Sequence, residues 1–309
     1  MSEPGYFGDH SMVRRVMRTR AVGLTYGLRA LVVGAVHPLL YVGTAENTGY
    51  RTMPYTRLAL TGRLFEAVFL GSKAEADRAL AFTRKKHVLV RGVLPEDAGV
   101  HYPAGTRYSA FDSRLMFMTM AFTFDSAEVM YDVLVRTMTD GEREGLYQDY
   151  VRWGELFGMS VDAAPASYRE FRAFFDEYLA SEQLFLTDEA RMVGSYLSGQ
   201  RRAHPLGIPV QQLTAAFYLL VQGSLPPRIR RMYRMNWGLA EEVGYRTLSQ
   251  AVRATHAATP VAPVLRSALS GRSAPAYAAL ADRERALVGS GRSSMPGIDP
   301  RNWVQRNSA

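Results

Sequence analysis

The sequence contains no cysteine in 309 residues. Disulfides, zinc–thiolate sites, iron–sulfur clusters, thiolate-ligated haem and covalently attached c-type haem are therefore excluded. Any metal must be held by histidine, carboxylate or tyrosine, and the six histidines form neither an HxxxH nor an HExxH pattern. The GxSxG nucleophile elbow, the GxxxxGK[ST] phosphate loop and a GxGxxG turn after a strand are also missing. No alternating strand pattern of useful length and no internal repeat occurs. Long hydrophobic runs are scarce. The run 28–42 is interrupted by Arg29, His37 and Pro38 and is short for a membrane span, and 213–221 is shorter still. Both are expected as buried helices. The first 20 residues hold Arg14, Arg15, Arg18 and Arg20 without an apolar run and a small-residue cleavage site. A soluble, cytoplasmic protein is expected, with peripheral membrane contact left open.

Hydrophobic residues make up 47% of the chain, enough to bury a large core and a cofactor. The formal charge of +8 is scattered, with clusters at Arg14–Arg20, Arg84–Lys86 and Arg228–Arg234. No nucleic-acid motif accompanies these clusters, so a solvated basic surface is expected rather than a nucleic-acid partner. Anionic lipid and haem propionates are other outlets for the excess charge.

The helical period dominates. Residues 54–70 carry Leu58, Leu60, Leu64, Phe65, Val68 and Phe69 at three- and four-residue steps and stop at Gly71. Ser72 and Glu75 form a capping-box pair for a helix reaching His87. Residues 93–109 read as loop. Asp112 is expected to cap a helix over 115–138 whose apolar residues surround nearly the whole circumference, the mark of burial on most sides. Further helices are expected over 147–157, 167–186, 188–197 (capped by Asp188), 211–222, 226–237 and 240–256. The fold class is all-α, one domain over 12–258, followed by a Pro/Ala/Ser/Arg-rich tail, 259–309, that is partly disordered.

Three constellations carry chemistry. His87 stands with Arg84 three residues before it and Arg91 four after, so the three project from a similar helix face. They form either a basic surface cluster or a haem-facing helix, in which a neutral imidazole ligates iron and guanidinium groups neutralise propionates. Arg57 and Thr61, one turn apart, share a face beside Leu58 and Leu64. Arg57 is either partly enclosed, which is costly without an anionic or polarised partner, or snorkels to solvent. His37 lies in an apolar run with Tyr41 four residues on; it is either a hydrogen-bonded core residue or a ligand. Tyr102, Tyr108 and Asp112 are candidate partners for it.

These pieces occur in a known order. Ala35-Val-His-Pro38, Arg57-Leu-Ala-Leu-Thr61, Arg84-Lys-Lys-His87-Val-Leu-Val-Arg-Gly92 and Tyr108-Ser-Ala-Phe-Asp112, with a weaker echo at Leu225-Pro-Pro-Arg228 through Trp237, span about residues 20–240. In this order and spacing the chain resembles the family of MpaB-like oxygenases and rubber-cleaving latex-clearing proteins. The resemblance implies a helical, globin-like core with additional helices, holding haem b. His87 falls on the proximal iron-ligand position and Arg84 on an arginine of the same helix. Arg57 and Thr61 match residues that border the oxygen-binding face. The activity implied is a haem-dependent oxygenase or oxidase that uses dioxygen on a hydrophobic, isoprenoid- or lipid-like substrate. The alternative is a non-catalytic haem or hydrophobic-ligand binding protein on the same scaffold.

The chain departs from the family pattern at two places. Leu60 replaces a lysine that precedes the distal threonine in latex-clearing proteins. Ser113, Met118, Thr119 and Met120 stand where the family commonly has aspartate–proline and then a tryptophan–valine–histidine triplet. Met116, Met118 and Met120 are either a flexible pocket lining or simply core. The departures mark a diverged subgroup whose substrate, and even activity, need not follow the family's.

Overall fold

The computed structural model describes residues 4–49, 51–201, 211–258 and 269–296, with side chains 211–214 left aside. The described residues form thirteen α-helices, one 3-10 turn at Val161–Ala163 and a two-stranded ribbon. The all-α expectation holds. At the centre lies α6 (Ser113–Leu134), which the Asp112 carboxylate caps by accepting from the Arg114 and Leu115 amides. From Phe117 onward nearly every α6 side chain is buried. Its principal partner is α2 (Arg20–Gly34), preceded by α1 (Met12–Arg18). α2 turns sharply into α3 (Pro38–Glu46), which opens with a proline whose missing amide donor costs nothing in the first helical turn. The α2–α3 pair bends by 110°, and no single described helix is long and apolar enough to cross a membrane. Val22, Val32 and Val33 of α2 are fully buried, in keeping with the expected core helix.

α4 (Pro54–Leu70) and α5 (Lys73–His87) form an antiparallel hairpin. The expected capping box at the turn is present: Glu75 N donates to Ser72 Oγ at 3.2 Å and Ser72 N to the Glu75 carboxylate at 2.8 Å. Beyond α5, β1 (Arg91–Val93) pairs antiparallel with β2 (Arg107–Ser109), Gly92 opposite Tyr108. This ribbon falls within a stretch read from sequence as loop; three-residue strands are too short to show alternation. α7 (Asp140–Phe157) starts earlier than expected because Thr139 and Glu142 supply a second capping box. α8 (Tyr168–Ala180) ends earlier than expected, at Ser181. α9 (Asp188–Leu197) is capped by Thr187, not by Asp188, because the Thr187 hydroxyl accepts the Ala190 amide. α10 (Gln211–Gly223) and α12 (Leu239–Ala257) pack together. The short α11 (Pro227–Met232) stops well before Trp237, with Arg234 at φ 56° turning the chain out of helix.

The core is densely aromatic. Phe124, Tyr147, Tyr150, Phe171 and Phe175 are all fully buried and meet in edge-to-face or stacked pairs, for example Phe124 on Phe171 at 4.9 Å. Truncating such a ring costs about 3–5 kcal/mol. One buried charge cluster interrupts this core. Arg29 Nη1 donates to Asp125 at 2.6 Å and to Ser126 Oγ at 2.9 Å, and Arg172 reaches the other Asp125 oxygen at 2.8 Å. Burial pushes the Asp125 pKa up, but the two guanidinium groups outweigh it and hold the carboxyl below its usual range.

The segment beyond 258 differs from the expected tail. Residues 259–268 and 297–309 lie outside the described residues, but Ala274–Gly289 forms α13, packed antiparallel along α4. The two helices cap each other. Glu66 of α4 accepts from Ser273 N at 2.5 Å and Ala274 N at 3.1 Å, at the start of α13. Glu284 of α13 accepts from Tyr55 N at 3.4 Å and from Thr56 N, at the start of α4. Each carboxylate thus satisfies amides that helix geometry leaves without partners, and does so at the positive end of a helix dipole. Tyr277 closes the pair. Its hydroxyl donates to Gly23 O, and a Cβ on Gly62 would come within 2.7 Å of its ring.

Candidate active site

The α4–α5 hairpin brings the candidate residues to one end of the fold. At 1.5 Å per residue, Arg57 lies about 22 Å along α4 from the Gly71–Ser72 turn, and His87 about 23 Å along α5. The imidazole and the guanidinium therefore sit at the same level of two packed helices. Thr61 is one turn from Arg57 and Arg84 almost one turn from His87, so all four lie on the half of the hairpin distant from its turn.

Desolvation is the largest influence on Arg57 and lowers its pKa; the Tyr41 phenol and the Glu189 carboxylate pull the other way. The guanidinium has no hydrogen bond and no ion pair among the described residues. Its side chain keeps part of its accessible surface, as do Leu60, Thr61 and Leu64 on the same helix. Arg57 is thus partly enclosed and partly accessible. Thr61 repeats the pattern on a smaller scale. The helical threonines Thr25, Thr44, Thr83, Thr119 and Thr123 each donate to the carbonyl four residues back. The Thr61 hydroxyl makes no such bond and has no hydrogen-bond partner among the described residues.

His87 is the last residue of α5, where Arg84, Lys85 and Lys86 complement the negative end of the helix dipole. Its ring is half-buried, and desolvation lowers its pKa, so the imidazole is neutral at physiological pH. Among the described residues neither ring nitrogen is hydrogen-bonded, and an aromatic contact comes from Phe111, edge-on at 6.5 Å. A neutral imidazole with a free lone pair is the state in which histidine binds a metal. The Arg84 side chain is exposed but lies beside Gly158 and Met116: a Cβ on Gly158 would sit 3.8 Å from Arg84 Nη2 and 3.9 Å from Met116 Cε.

The other candidates separate from this group. Met118 and Met120 are buried in the main core, which settles them as core residues, while Met116 is partly exposed. His37 is buried at the N-cap of α3, its ring 5.4 Å from Tyr102 and 6.2 Å from Tyr178. Burial lowers its pKa to about 4, and its Nδ1 has no partner among the described residues. Of the partners expected for it only Tyr102 is in place; Tyr108 packs on Gly43 and Gly92, and Asp112 caps α6.

A set of polar residues behind Arg57 was not legible in the sequence. Tyr41 of α3 and Glu189, in the first turn of α9, act electrostatically on each other and on Arg57. Arg51 holds Glu189 through a bidentate pair, with Nε to Oε1 at 2.8 Å, and reaches Glu46 at 3.3 Å. Glu189 lies 132 residues from Arg57 in sequence, and no local spacing joins them.

Residues 14–254 match the family model described as "ER-bound oxygenase mpaB/B'/Rubber oxygenase, catalytic domain". The chain therefore belongs to this family of oxygenase catalytic domains and is an oxidoreductase-type enzyme. No curated protein and no solved structure matches it.

Proposed function

We propose that the chain is a haem b-dependent oxygenase that acts on a hydrophobic, isoprenoid- or lipid-like substrate with dioxygen, His87 being the residue that ligates the iron. The observation that carries this reading is the pairing of a neutral imidazole with a partly enclosed guanidinium, neither of them hydrogen-bonded among the described residues, at one end of the same hairpin. Desolvating a guanidinium without a partner is unfavourable, and a bound anionic or strongly dipolar group offsets that cost. Among the described residues no three His, Cys, Asp or Glu side chains gather as a metal cage. A single imidazole fits instead a metal whose equatorial ligands come from a macrocycle. Haem, when bound, supplies the redox chemistry of oxygen activation, while the protein supplies binding, orientation and electrostatics.

The chain's own residues have separable tasks under this reading. His87 Nε2 or Nδ1 presents the lone pair, kept unprotonated by desolvation. Arg84, exposed beside Met116 and Gly158, is placed at the rim to meet a propionate. Arg57 would donate charge-assisted hydrogen bonds to a bound polar group, and the Thr61 hydroxyl, one turn on, would add one more donor. Tyr41 and Glu189 keep the Arg57 charge from being wholly unfavourable. Leu60 and Leu64 keep the same face apolar, which suits a hydrocarbon and excludes water. With leucine at position 60, no lysine there is available to take a proton from the substrate.

The test is oxygen consumption by the haem-loaded protein across a panel of alkenes and unsaturated lipids. Substrate-dependent uptake that falls at least tenfold in Arg57→Ala is expected. Haem uptake without substrate-dependent oxygen consumption in any member of the panel would reassign the chain to haem or ligand binding alone.

A further inference from the structure

Large apolar side chains are exposed unevenly over this molecule. Nine are well exposed among the described residues, and six of them, Phe82, Val88, Leu89, Val93, Val100 and Phe111, fall within one stretch of 30 residues, 82–111. Leu89 is 70% and Val93 54% accessible. Scattered exposed hydrophobic residues are ordinary, but a concentration of them on one surface marks an interaction site.

The local fold explains why they face outward together. Between α5 and the ribbon the chain turns at Val88 and Leu89. In the ribbon, alternation puts Gly92 and Tyr108 on the inner face, where Tyr108 packs against Gly43 of α3. Arg91, Val93 and Arg107 then lie on the outer face, Val93 directly opposite Arg107. Among the described residues no element covers that face. At the end of α5, the Lys86 ammonium lies 5.8 Å from the centroid of the exposed Phe82 ring. The patch thus interleaves apolar groups with Lys85, Lys86, Arg91 and Arg107. No carboxylate occurs between residues 82 and 93. None of these four cations is in an ion pair among the described residues, and Asp112, the nearest acid after β2, is occupied in capping α6.

We infer that this surface docks the protein on a bilayer containing anionic phospholipid. The charge pattern selects this occupant: unpaired cations meet phosphate headgroups while leucine and valine insert at the acyl boundary, the two contributions that hold peripheral proteins on membranes. A self-complementary protein interface would set acidic groups against the basic ones, whereas Lys85, Lys86, Arg91 and Arg107 outnumber the two carboxylates of this stretch, Glu96 and Asp97, of which Asp97 accepts the Ala104 amide. The inference stands apart from the haem proposal, because lipid binding by this face needs no cofactor.

The test is co-sedimentation of the full chain with phosphatidylcholine vesicles, with and without about a third phosphatidylglycerol. Binding is expected to the anionic vesicles only, and to weaken in about 0.5 M salt, where the screening length shrinks to a few ångströms. The double variant Lys85→Ala/Lys86→Ala is expected to bind about 25-fold more weakly, at about fivefold per charge. Leu89→Ser/Val93→Ser is expected to lose at least about tenfold by removing the insertion. Both variants alter exposed side chains, so unchanged far-ultraviolet circular dichroism is expected and separates loss of docking from loss of fold. Equal binding to neutral vesicles, no binding to either, or wild-type binding by both variants overturns the inference. So does self-association in sedimentation velocity that Leu89→Ser/Val93→Ser abolishes, which would give the surface to a second copy of the chain.

Discussion

The reciprocal capping of α4 and α13 makes a quantitative demand on Glu284. Its carboxylate accepts the Tyr55 and Thr56 amides and the Ser294 hydroxyl, the last at 2.6 Å, and the side chain is fully buried. Glu284→Ala leaves two buried amide donors at the α4 N-terminus without acceptors. A hydrogen bond to a charged group contributes about 1.5–3 kcal/mol, and the Tyr55 bond at 3.4 Å belongs at the low end. The expected loss is about 3–4 kcal/mol, a large fraction of a typical domain stability of about 5–15 kcal/mol. Glu284→Gln retains one carbonyl oxygen and is expected to lose about half as much. Urea unfolding followed by Trp153 fluorescence and far-ultraviolet circular dichroism reads both values, with the slope against denaturant unchanged. Arg57 begins one residue beyond Thr56, so Glu284→Ala is also expected to loosen the candidate site and to raise the dissociation constant for haem. A change within about 0.5 kcal/mol of wild type, the size of an ordinary surface substitution, would refute the docking of α13 as an integral part of the fold.

Three further outcomes follow from the same structure. Arg57→Leu is expected to raise the melting temperature of the haem-free protein, because an apolar group replaces a partly enclosed charge that has no partner among the described residues, while abolishing substrate-dependent oxygen uptake; thermal melts and the uptake assay report the two effects. Asp125→Ala is expected to cost about 3–5 kcal/mol by leaving Arg29 charged and buried, and paired melts with Arg29→Met/Asp125→Leu should recover most of it. Arg136 and then the Thr139 amide and Arg15 hold the Glu142 carboxyl at a pKa of about 2, below its ordinary 4.5. That depressed value contributes stability above about pH 4.5 that disappears as pH falls through 2, so the melting-temperature gap between wild type and Glu142→Gln should narrow across that window.

Local chemistry made the site-bearing hairpin legible in the sequence. The 54–70 period, Gly71 and the Ser72/Glu75 box specify α4, the turn and α5 within a few residues of one another, and the Asp112 cap did the same for α6. What remained hidden rests on long-range contacts. α13 reads as an Ala-rich tail because its anchors, Glu66, Gly62 and Gly23, lie more than 200 residues away in sequence. The ribbon of Arg91–Val93 and Arg107–Ser109 is too short to show a period, yet it creates the exposed face beside His87. Arg57 could be placed on a helix face from spacing alone, but its lack of a partner emerges only when α3 and α9 bring Tyr41 and Glu189 near it without bonding it. Leu60 and Met120 were legible as departures, and the structure shows their consequence: an apolar wall beside Thr61, and a methionine absorbed into the core.

The central claim is that His87 is the iron ligand, and a visible absorption titration with haemin addresses it most directly. Wild type is expected to take up one equivalent and show a Soret band that shifts on reduction and again with carbon monoxide. His87→Gly is expected to keep the wild-type circular dichroism, to lose this spectrum and to regain it when imidazole is added. An unchanged Soret band in His87→Gly without imidazole, or a wild-type protein that takes up no haemin, would contradict the account.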